Sequence, residues 1–180
     1  MIIGLSGYAG SGKDEVAKIL MKEYGFRRIA FADKVREVLY EIDPVVMVDV
    51  HYKDITVKDL VNDEGWDDAK KNKEVRALLQ NLGVAIRNNI GLDAWVDAAL
   101  KDVSPDENVV VTDVRFINEA SKIKAMGGVL WRVKRPNVLA VNNHISETEL
   151  DGYKVDQIFA NSGSLEDLNM LVKNRMKSLI

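Results

Sequence analysis

The chain has 180 residues, of which 47% are hydrophobic, and its 25 basic and 28 acidic side chains leave a net charge of −3. The charges are interspersed without a basic block or tail, so a nucleic-acid polymer is not an expected partner. The absence of cysteine excludes disulfides, thiolate nucleophiles and cysteine-based zinc sites.

The first predicted element is a short apolar strand at Met1–Ser6, which has no basic signal region and is too short to cross a bilayer. We therefore expect a soluble, cytoplasmic protein, located in the host cytoplasm if its source is a virus. The rest of the pattern predicts, in chain order, a helix at Lys13–Tyr24, a strand at Arg27–Phe31, a helix at Asp33–Ile42, a strand at Val109–Asp113, a helix at Asn118–Met126, strands at Val129–Val133 and Gln157–Ala160, and a helix at Leu165–Leu179. This alternation predicts an α/β fold of three layers, α/β/α, with a five-stranded, mostly parallel sheet covered by helices on both faces.

Two stretches interrupt the alternation. The pattern is helical throughout from Ile55 to Lys101, which predicts several helices between the second and third strands. We assign residues 45–101 to a helical insertion that can build a substrate site, within a single domain spanning residues 1–180. The polar segment at 135–153 follows the fourth strand, where a lid can hinge.

A phosphate-binding loop is predicted at Gly7–Lys13, because Gly-Tyr-Ala-Gly-Ser-Gly-Lys matches the G-x-x-x-x-G-K motif and lies between a strand and a helix. Its glycines let successive backbone N–H groups point at phosphate oxygens, and the helix that follows adds the positive end of its dipole. Lys13 supplies a mobile charge for the β- and γ-phosphates. The motif predicts that ATP contacts Gly10, Ser11, Gly12 and Lys13.

The next position departs from the general motif, because Asp14 stands where a serine or threonine hydroxyl normally touches Mg²⁺. A carboxylate is also an oxygen ligand for Mg²⁺, so Asp14 can hold the ion directly or through water. Alternatively, Asp14 stabilises the first turn of the helix, where negative charge is favourable.

A second polar cluster follows the buried strand that ends at Asp113. This aspartate is expected beside the crevice where open α/β sheets bind ligands, in the position from which P-loop enzymes fix the water shell of Mg²⁺. Arg115 can neutralise phosphate charge in the same crevice. In the alternative interpretation, Asp113 caps the following helix and Arg115 is solvated.

Further candidate residues lie at the second strand and in the insertion. Asp33 can accept a hydrogen bond from substrate or serve as an N-cap, while Lys34 and Arg36 can meet the substrate phosphate. Gln80 and Arg87 lie at near-helical offsets and can present a base contact and a phosphate contact from one face, although a solvated face is the usual explanation.

The segment after the fourth strand is basic. Arg132 and Arg135 are candidate arginine fingers that close, with Lys134, over the transferring phosphoryl group, or all three are surface charges. The three tryptophans, at 66, 95 and 131, favour packing over base stacking. We expect no zinc site at His144, because no second histidine is close in sequence.

These residues together resemble the deoxynucleoside monophosphate kinases of tailed bacteriophages, which have the P-loop nucleoside monophosphate kinase fold. The resemblance runs nearly end to end. Its landmarks are Gly-Ser-Gly-Lys-Asp14, Phe-Ala-Asp33, Leu-Leu-Gln80-Asn-Leu-Gly83 with Arg87 and Trp95-Val, Asp113-Val-Arg115-Phe-Ile-Asn118-Glu119, Arg132-Val-Lys-Arg135-Pro, His144-Ile-Ser-Glu147 and Asn161-Ser-Gly163. Ile117 departs from the proline expected in this pattern.

The resemblance implies a role for each group of residues. Asp14 is an expected member of the family's loop, and Asn161 is implied to lie near the adenine of ATP. The resemblance implies that Asp33, Gln80, Arg87 and Arg115 face the monophosphate. Further candidates for substrate binding are Lys34, Arg36, Trp95, Glu119 and Glu147. The predicted catalytic residues are Lys13 and Arg115 together with Arg132 and Arg135, which the resemblance implies to act from the lid.

The implied reaction transfers the γ-phosphoryl group of ATP·Mg²⁺ to a deoxynucleoside 5′-monophosphate, giving the diphosphate and ADP. Dephospho-coenzyme A kinases look similar in overall pattern but normally keep serine or threonine after the loop lysine, so another small-molecule kinase is the alternative. An ATP-hydrolysing switch and a nucleotide-binding module without transfer activity also remain open. The residues leave open which bases are accepted and whether the protein forms a homodimer.

Overall fold

A computed structural model describes residues 1–48, 50–139 and 148–179. His144 and Glu147, two of the residues in the family resemblance, lie outside the described residues. The chain divides into two compact units. The first combines Met1–Phe31 with the chain from Leu100 onward, and the second is Ala32–Ala99.

The described residues form seven strands and seven helices. In chain order they are β1 (Ile2–Ser6), α1 (Lys13–Tyr24), β2 (Arg27–Ile29), α2 (Phe31–Ile42), β3 (Val45–Val48), β4 (Asp54–Thr56), α3 (Val57–Ala69), α4 (Lys73–Asn89), α5 (Ala94–Leu100), β5 (Val109–Val111), α6 (Ile117–Ala125), β6 (Val129–Lys134), β7 (Gln157–Ala160) and α7 (Leu165–Lys177). None of the helices in these described ranges is long and apolar enough to cross a membrane.

The first unit is built on a five-stranded sheet with the order β2-β5-β1-β6-β7, in which every pairing is parallel. The central strand β1 pairs on one side with β5, where Ile3 is opposite Val110, and on the other with β6, where Ser6 is opposite Arg132. Parallel strands place their carboxyl ends at the same edge of a sheet, so the segments that follow β1, β5 and β6 share one edge.

Alternation along β1 separates the two faces of this sheet. Ile3 and Leu5 belong to a buried cluster with residues of α1 and α7. On the opposite face, a Cβ atom at Gly4 would lie 2.8 Å from Ile123 Cδ1 of α6. Helices therefore cover both faces, and the predicted three-layer α/β/α fold with a five-stranded parallel sheet is confirmed.

The start of α2 differs from the prediction. The helix begins at Phe31 instead of Asp33, and β2 ends earlier than predicted, at Ile29. The Phe31 N–H donates to Asp113 Oδ1 at 2.9 Å, so a carboxylate from the end of β5 caps α2. The prediction that Asp33 is the N-cap of α2 is therefore wrong. The alternative in which Asp113 caps the helix that follows it, α6, is also wrong, because the N-cap of α6 is Phe116.

The second unit is helical apart from one antiparallel hairpin. Strands β3 and β4 pair with Val48 opposite Asp54, whereas the sequence predicted helix throughout from Ile55. Helix α3 contains a kink at Gly65, where φ is 77°. The small core of this unit is formed by Leu39, Val57 and Val75 with surrounding partly buried residues.

A glycine between α6 and β6 gives a test of the packing on the sheet. A Cβ atom at Gly128 would lie 2.9 Å from the carbonyl oxygens of both Ile123 and Ile2, and backbone atoms cannot rotate away. We predict that Gly128→Ala lowers the free energy of unfolding by about 1–3 kcal/mol, measured by urea denaturation. Gly83→Ala in α4 is the control, because a Cβ atom there meets nothing within 4 Å and alanine favours a helix. Equal stability of the Gly128→Ala variant and the wild type would contradict the prediction.

Candidate active site

The loop between β1 and α1 has the left-handed backbone that its glycines allow. Gly7, Gly10 and Gly12 have φ angles of 134°, 76° and 105°. Gly7 and Gly12 are also packed so closely that a Cβ atom would lie 2.3 Å from Val133 O and 2.4 Å from Asn161 Nδ2, respectively. Side chains at these two positions are therefore excluded by both conformation and space.

Lys13 begins α1 and folds back over the loop. Its Nζ donates hydrogen bonds to the carbonyl oxygens of Gly7 at 2.7 Å and Tyr8 at 2.9 Å. Asp14 is exposed in the first turn of α1, where its negative charge is favourable. Ser11 is buried, and its Oγ has no hydrogen-bond partner among the described residues.

Asn161, which follows β7, braces the loop through a side-chain hydrogen bond. Its Nδ2 donates to Ser11 O at 2.9 Å, and its backbone N–H donates to Lys134 O at 2.7 Å. The side chain is 8% exposed. These contacts give Asn161 a structural role in the loop, and its implied proximity to adenine stays a prediction.

A cavity of about 410 Å³ opens beside the loop at the carboxyl edge of the sheet. Among the described residues, five cationic side chains and one carboxylate line it, namely Lys13, Arg115, Arg132, Lys134, Arg135 and Asp151. The imbalance makes the cavity suitable for an anion that carries several charges. Of the predicted residues, the structure thus brings together Lys13, Arg115, Arg132 and Arg135.

The turn after β5 is held by Glu119. This side chain is 5% exposed, and its Oε2 accepts hydrogen bonds from the N–H groups of Arg115 at 2.7 Å and Phe116 at 3.0 Å. It therefore fixes the backbone from which the exposed Arg115 side chain projects, together with the start of α6. A contact between Glu119 and substrate stays a prediction.

Arg132 is buried, unlike Arg135, which is exposed. Arg132 Nη1 donates to Asp151 O at 3.0 Å, and Arg132 Nη2 donates to Leu150 O and to Tyr153 O. The guanidinium therefore holds the chain at 150–153 against β6, which differs from the predicted finger above the phosphoryl group. Its part in catalysis stays a prediction.

Most of the predicted substrate residues of the second unit bond to other residues of the same unit. Asp33 pairs with Arg36 at 3.0 Å, and Lys34 pairs with Glu37 at 2.6 Å. Gln80 is exposed on α4. Arg87 Nη1 donates to Leu92 O at 3.3 Å, and Trp95 is buried with its Nε1 donating to Gly83 O at 3.0 Å. Trp95 is therefore a packing residue that ties α5 to α4.

Tyr8 and Asp151 line the cavity, although neither side chain was predicted from the sequence as part of the site. Tyr8 occupies a variable position of the loop motif, and Asp151 lies in the segment described only as a lid. The loop motif does not specify the residue at position 8, and no motif contains Asp151. Their role is recognised only from the hydrogen bond between the two side chains.

The parallel sheet, the glycine loop after its central strand and the cationic cavity together define a P-loop phosphotransferase. The model of the deoxynucleotide monophosphate kinase family matches residues 46–172. The chain therefore belongs to the deoxynucleotide monophosphate kinase family. Its members transfer phosphoryl groups to deoxynucleotide monophosphates, and the family implies ATP as the donor.

Individual relatives agree with this assignment. A protein of Acanthamoeba polyphaga mimivirus, described as a deoxynucleotide monophosphate kinase, is 30% identical over 180 residues and is matched over 93% of this chain and 91% of its own length. The deoxynucleotide monophosphate kinase of Enterobacteria phage T4 is 34% identical over 111 residues, which cover 58% of this chain and 46% of that protein.

Two solved structures are similar to this chain in fold. Shikimate kinase from Aquifex aeolicus has a TM-score of 0.48 at 14% identity, and dephospho-CoA kinase from Campylobacter jejuni has a TM-score of 0.48 at 16% identity. Each match covers 99% of this chain and 96% of the other. Likeness at this level says nothing about the acceptor.

The Asn161 brace gives a test of the loop. We predict that Asn161→Ala raises the KM for ATP roughly five- to tenfold, because one buried hydrogen bond of about 1 kcal/mol holds the Ser11 carbonyl and the loop loosens without it. Steady-state kinetics at saturating acceptor measures the effect. Asn169→Ala on α7 is the control, because its Oδ1 has no hydrogen-bond partner among the described residues. If both variants kept the wild-type KM, the brace would have no role in ATP binding.

Proposed function

We propose that the enzyme binds the triphosphate of ATP at the Gly7–Lys13 loop and transfers the γ-phosphoryl group to the 5′-phosphate of a deoxynucleoside monophosphate. The observation that carries this proposal is the cavity beside the loop, which five cationic residues line next to the N-terminus of α1. Family membership supplies the acceptor class.

The transfer needs no dedicated general base. The acceptor phosphate has a second pKa of about 6, so an anionic oxygen is available at neutral pH. This oxygen forms a bond to the γ-phosphorus while the bond to the β-γ bridging oxygen breaks, and that oxygen leaves on ADP. The residues act by position and charge, with Lys13, Arg115 and Arg135 proposed to balance charge on the transferring group.

We propose that ATP binds as its complex with Mg²⁺. Mg²⁺ at phosphoryl-transfer sites is bound mainly by phosphate oxygens and water, with one or two protein carboxylates. Asp113 at the end of β5 and Asp14 at the start of α1 are the proposed carboxylates. When bound, the ion would offset negative charge on the β- and γ-phosphates.

The acceptor side rests on the resemblance. We propose residues 45–101 as the monophosphate-binding insertion and 135–153 as the lid. Within and beside the insertion, the proposed contacts are Asp33, Lys34, Arg36, Gln80 and Arg87. Within α2, Asp33 pairs with Arg36 and Lys34 pairs with Glu37.

The proposed function is tested by an ADP-release assay with ATP·Mg²⁺ and a panel of the four deoxynucleoside monophosphates, their ribose counterparts and dephospho-coenzyme A. We expect release only with nucleoside monophosphates, and faster release with the deoxy forms.

We predict that Lys13→Ala abolishes transfer with an unchanged fold by circular dichroism, because the mobile charge on the phosphates is lost. Release without any acceptor, or near-normal turnover of the Lys13→Ala variant, would contradict the proposal.

Arg115 gives a second test of the site. Its backbone is fixed by Glu119 and its side chain lines the cavity, so we predict that Arg115→Ala lowers kcat/KM for the monophosphate roughly 100-fold, about 2.7 kcal/mol of transition-state stabilisation. The control is Arg27→Ala, which removes a surface ion pair with Glu107. Unchanged steady-state constants for Arg115→Ala would remove this residue from the proposed machinery.

A further inference from the structure

A tyrosine of the phosphate loop is bonded to a segment far away in sequence. Tyr8 Oη donates to Asp151 Oδ2 at 2.8 Å, across 143 positions of the chain. Both residues line the cavity beside the loop. The phosphate loop is thus connected through a side chain to the chain at 148–153, which we call the anchor segment.

The anchor segment is fixed to the sheet layer at two other points. Arg132 of β6 donates to the carbonyl oxygens of Leu150, Asp151 and Tyr153. Glu149 Oε1 accepts from the N–H of Ile117 at 2.9 Å, at the start of α6. The backbone of Asp151 is therefore held by residues that do not belong to the phosphate loop.

The same tyrosine is at the centre of the loop's internal hydrogen bonds. Its carbonyl oxygen accepts from Ser11 N at 3.1 Å and from Lys13 Nζ at 2.9 Å. A shift of Tyr8 would therefore move the acceptor that holds the Lys13 ammonium group and the turn that directs the Ser11 N–H. The position of the Tyr8 side chain thus bears on Lys13 and on the loop, which are proposed to bind phosphate.

We propose that Asp151 is a positioning residue for ATP, which acts through Tyr8 to hold the phosphate loop in its binding conformation. The proposal rests on the proposed function of the loop. Exposed hydrogen bonds usually contribute little, because two mobile side chains must be ordered to form them. Here the backbone of Asp151 is already held by Arg132, which lowers that entropic cost. Binding to a preformed loop avoids the cost of ordering it when ATP arrives.

The effect should appear in ATP binding and not in the chemical step. We expect Tyr8→Phe and Asp151→Ala each to raise the KM for ATP roughly three- to tenfold, the loss of one ordinary hydrogen bond. The KM for the monophosphate and kcat at saturating ATP should stay near the wild-type values. The double variant should match the single variants, because both remove the same bond.

Conservative replacement separates positioning from folding. Asp151→Asn keeps an oxygen that can accept from Tyr8 Oη and should restore most of the wild-type KM for ATP. Tyr24→Phe and Asp106→Ala serve as matched controls, since each makes the same chemical change elsewhere in the first unit, and neither should alter any constant. Thermal melting of every variant shows whether the fold is intact.

The outcomes separate this inference from the proposed function. An unchanged or lowered KM for ATP in the Tyr8→Phe and Asp151→Ala variants would overturn it. So would additive losses in the double variant, or a loss in Asp151→Asn equal to that in Asp151→Ala. If the wild-type enzyme transferred nothing to any monophosphate, the proposed function would fail, and calorimetric affinity for a non-hydrolysable ATP analogue would then test the positioning role by the same comparisons.

Discussion

The shape of the phosphate loop depends on two places where there is no space for a side chain. Gly7 lies against the carbonyl of Val133, and Gly12 lies against the side-chain amide of Asn161. Both partners belong to the edge of the sheet formed by β6 and by the chain after β7. The parallel pairing of β1 with β6 therefore decides where the loop lies, and the positive φ angles of the glycines allow the loop to follow.

The same edge explains why cationic groups collect beside the loop. Arg132, Lys134 and Arg135 come from the end of β6, next to the strand that leads into the loop, and Arg115 follows β5 on the other side of β1. Strand order thus places one source of positive charge on each side of the loop. Because Arg132 bonds to neutral carbonyl groups, those partners do not neutralise its charge, and it can raise the potential of the cavity while serving a structural role.

Features encoded by local pattern were predictable from the sequence. The helix at Lys13–Tyr24 and the strand at Gln157–Ala160 have the predicted bounds, and the phosphate loop lies between a strand and a helix as its motif requires. The β3–β4 hairpin was missed because both strands are short and the residues between them lack a tight-turn signature such as Asn-Gly. Short strands beside long helical stretches give too little periodicity to be recognised.

Features set by distant partners could not be predicted. The start of α2 depends on a carboxylate 82 positions away, and only the pairing of β2 with β5 brings Asp113 to the N–H of Phe31. Arg132 has backbone carbonyls as partners, and every residue has such a group, so no residue type in the sequence marks them. From the sequence alone, a basic residue at a strand end is therefore equally consistent with a catalytic finger, a surface charge or a clamp that holds a neighbouring stretch of backbone. The tertiary fold shows one of these roles, since burial at 8% exposure and bonds to 150–153 make Arg132 a clamp on that segment, while its part in catalysis stays a prediction.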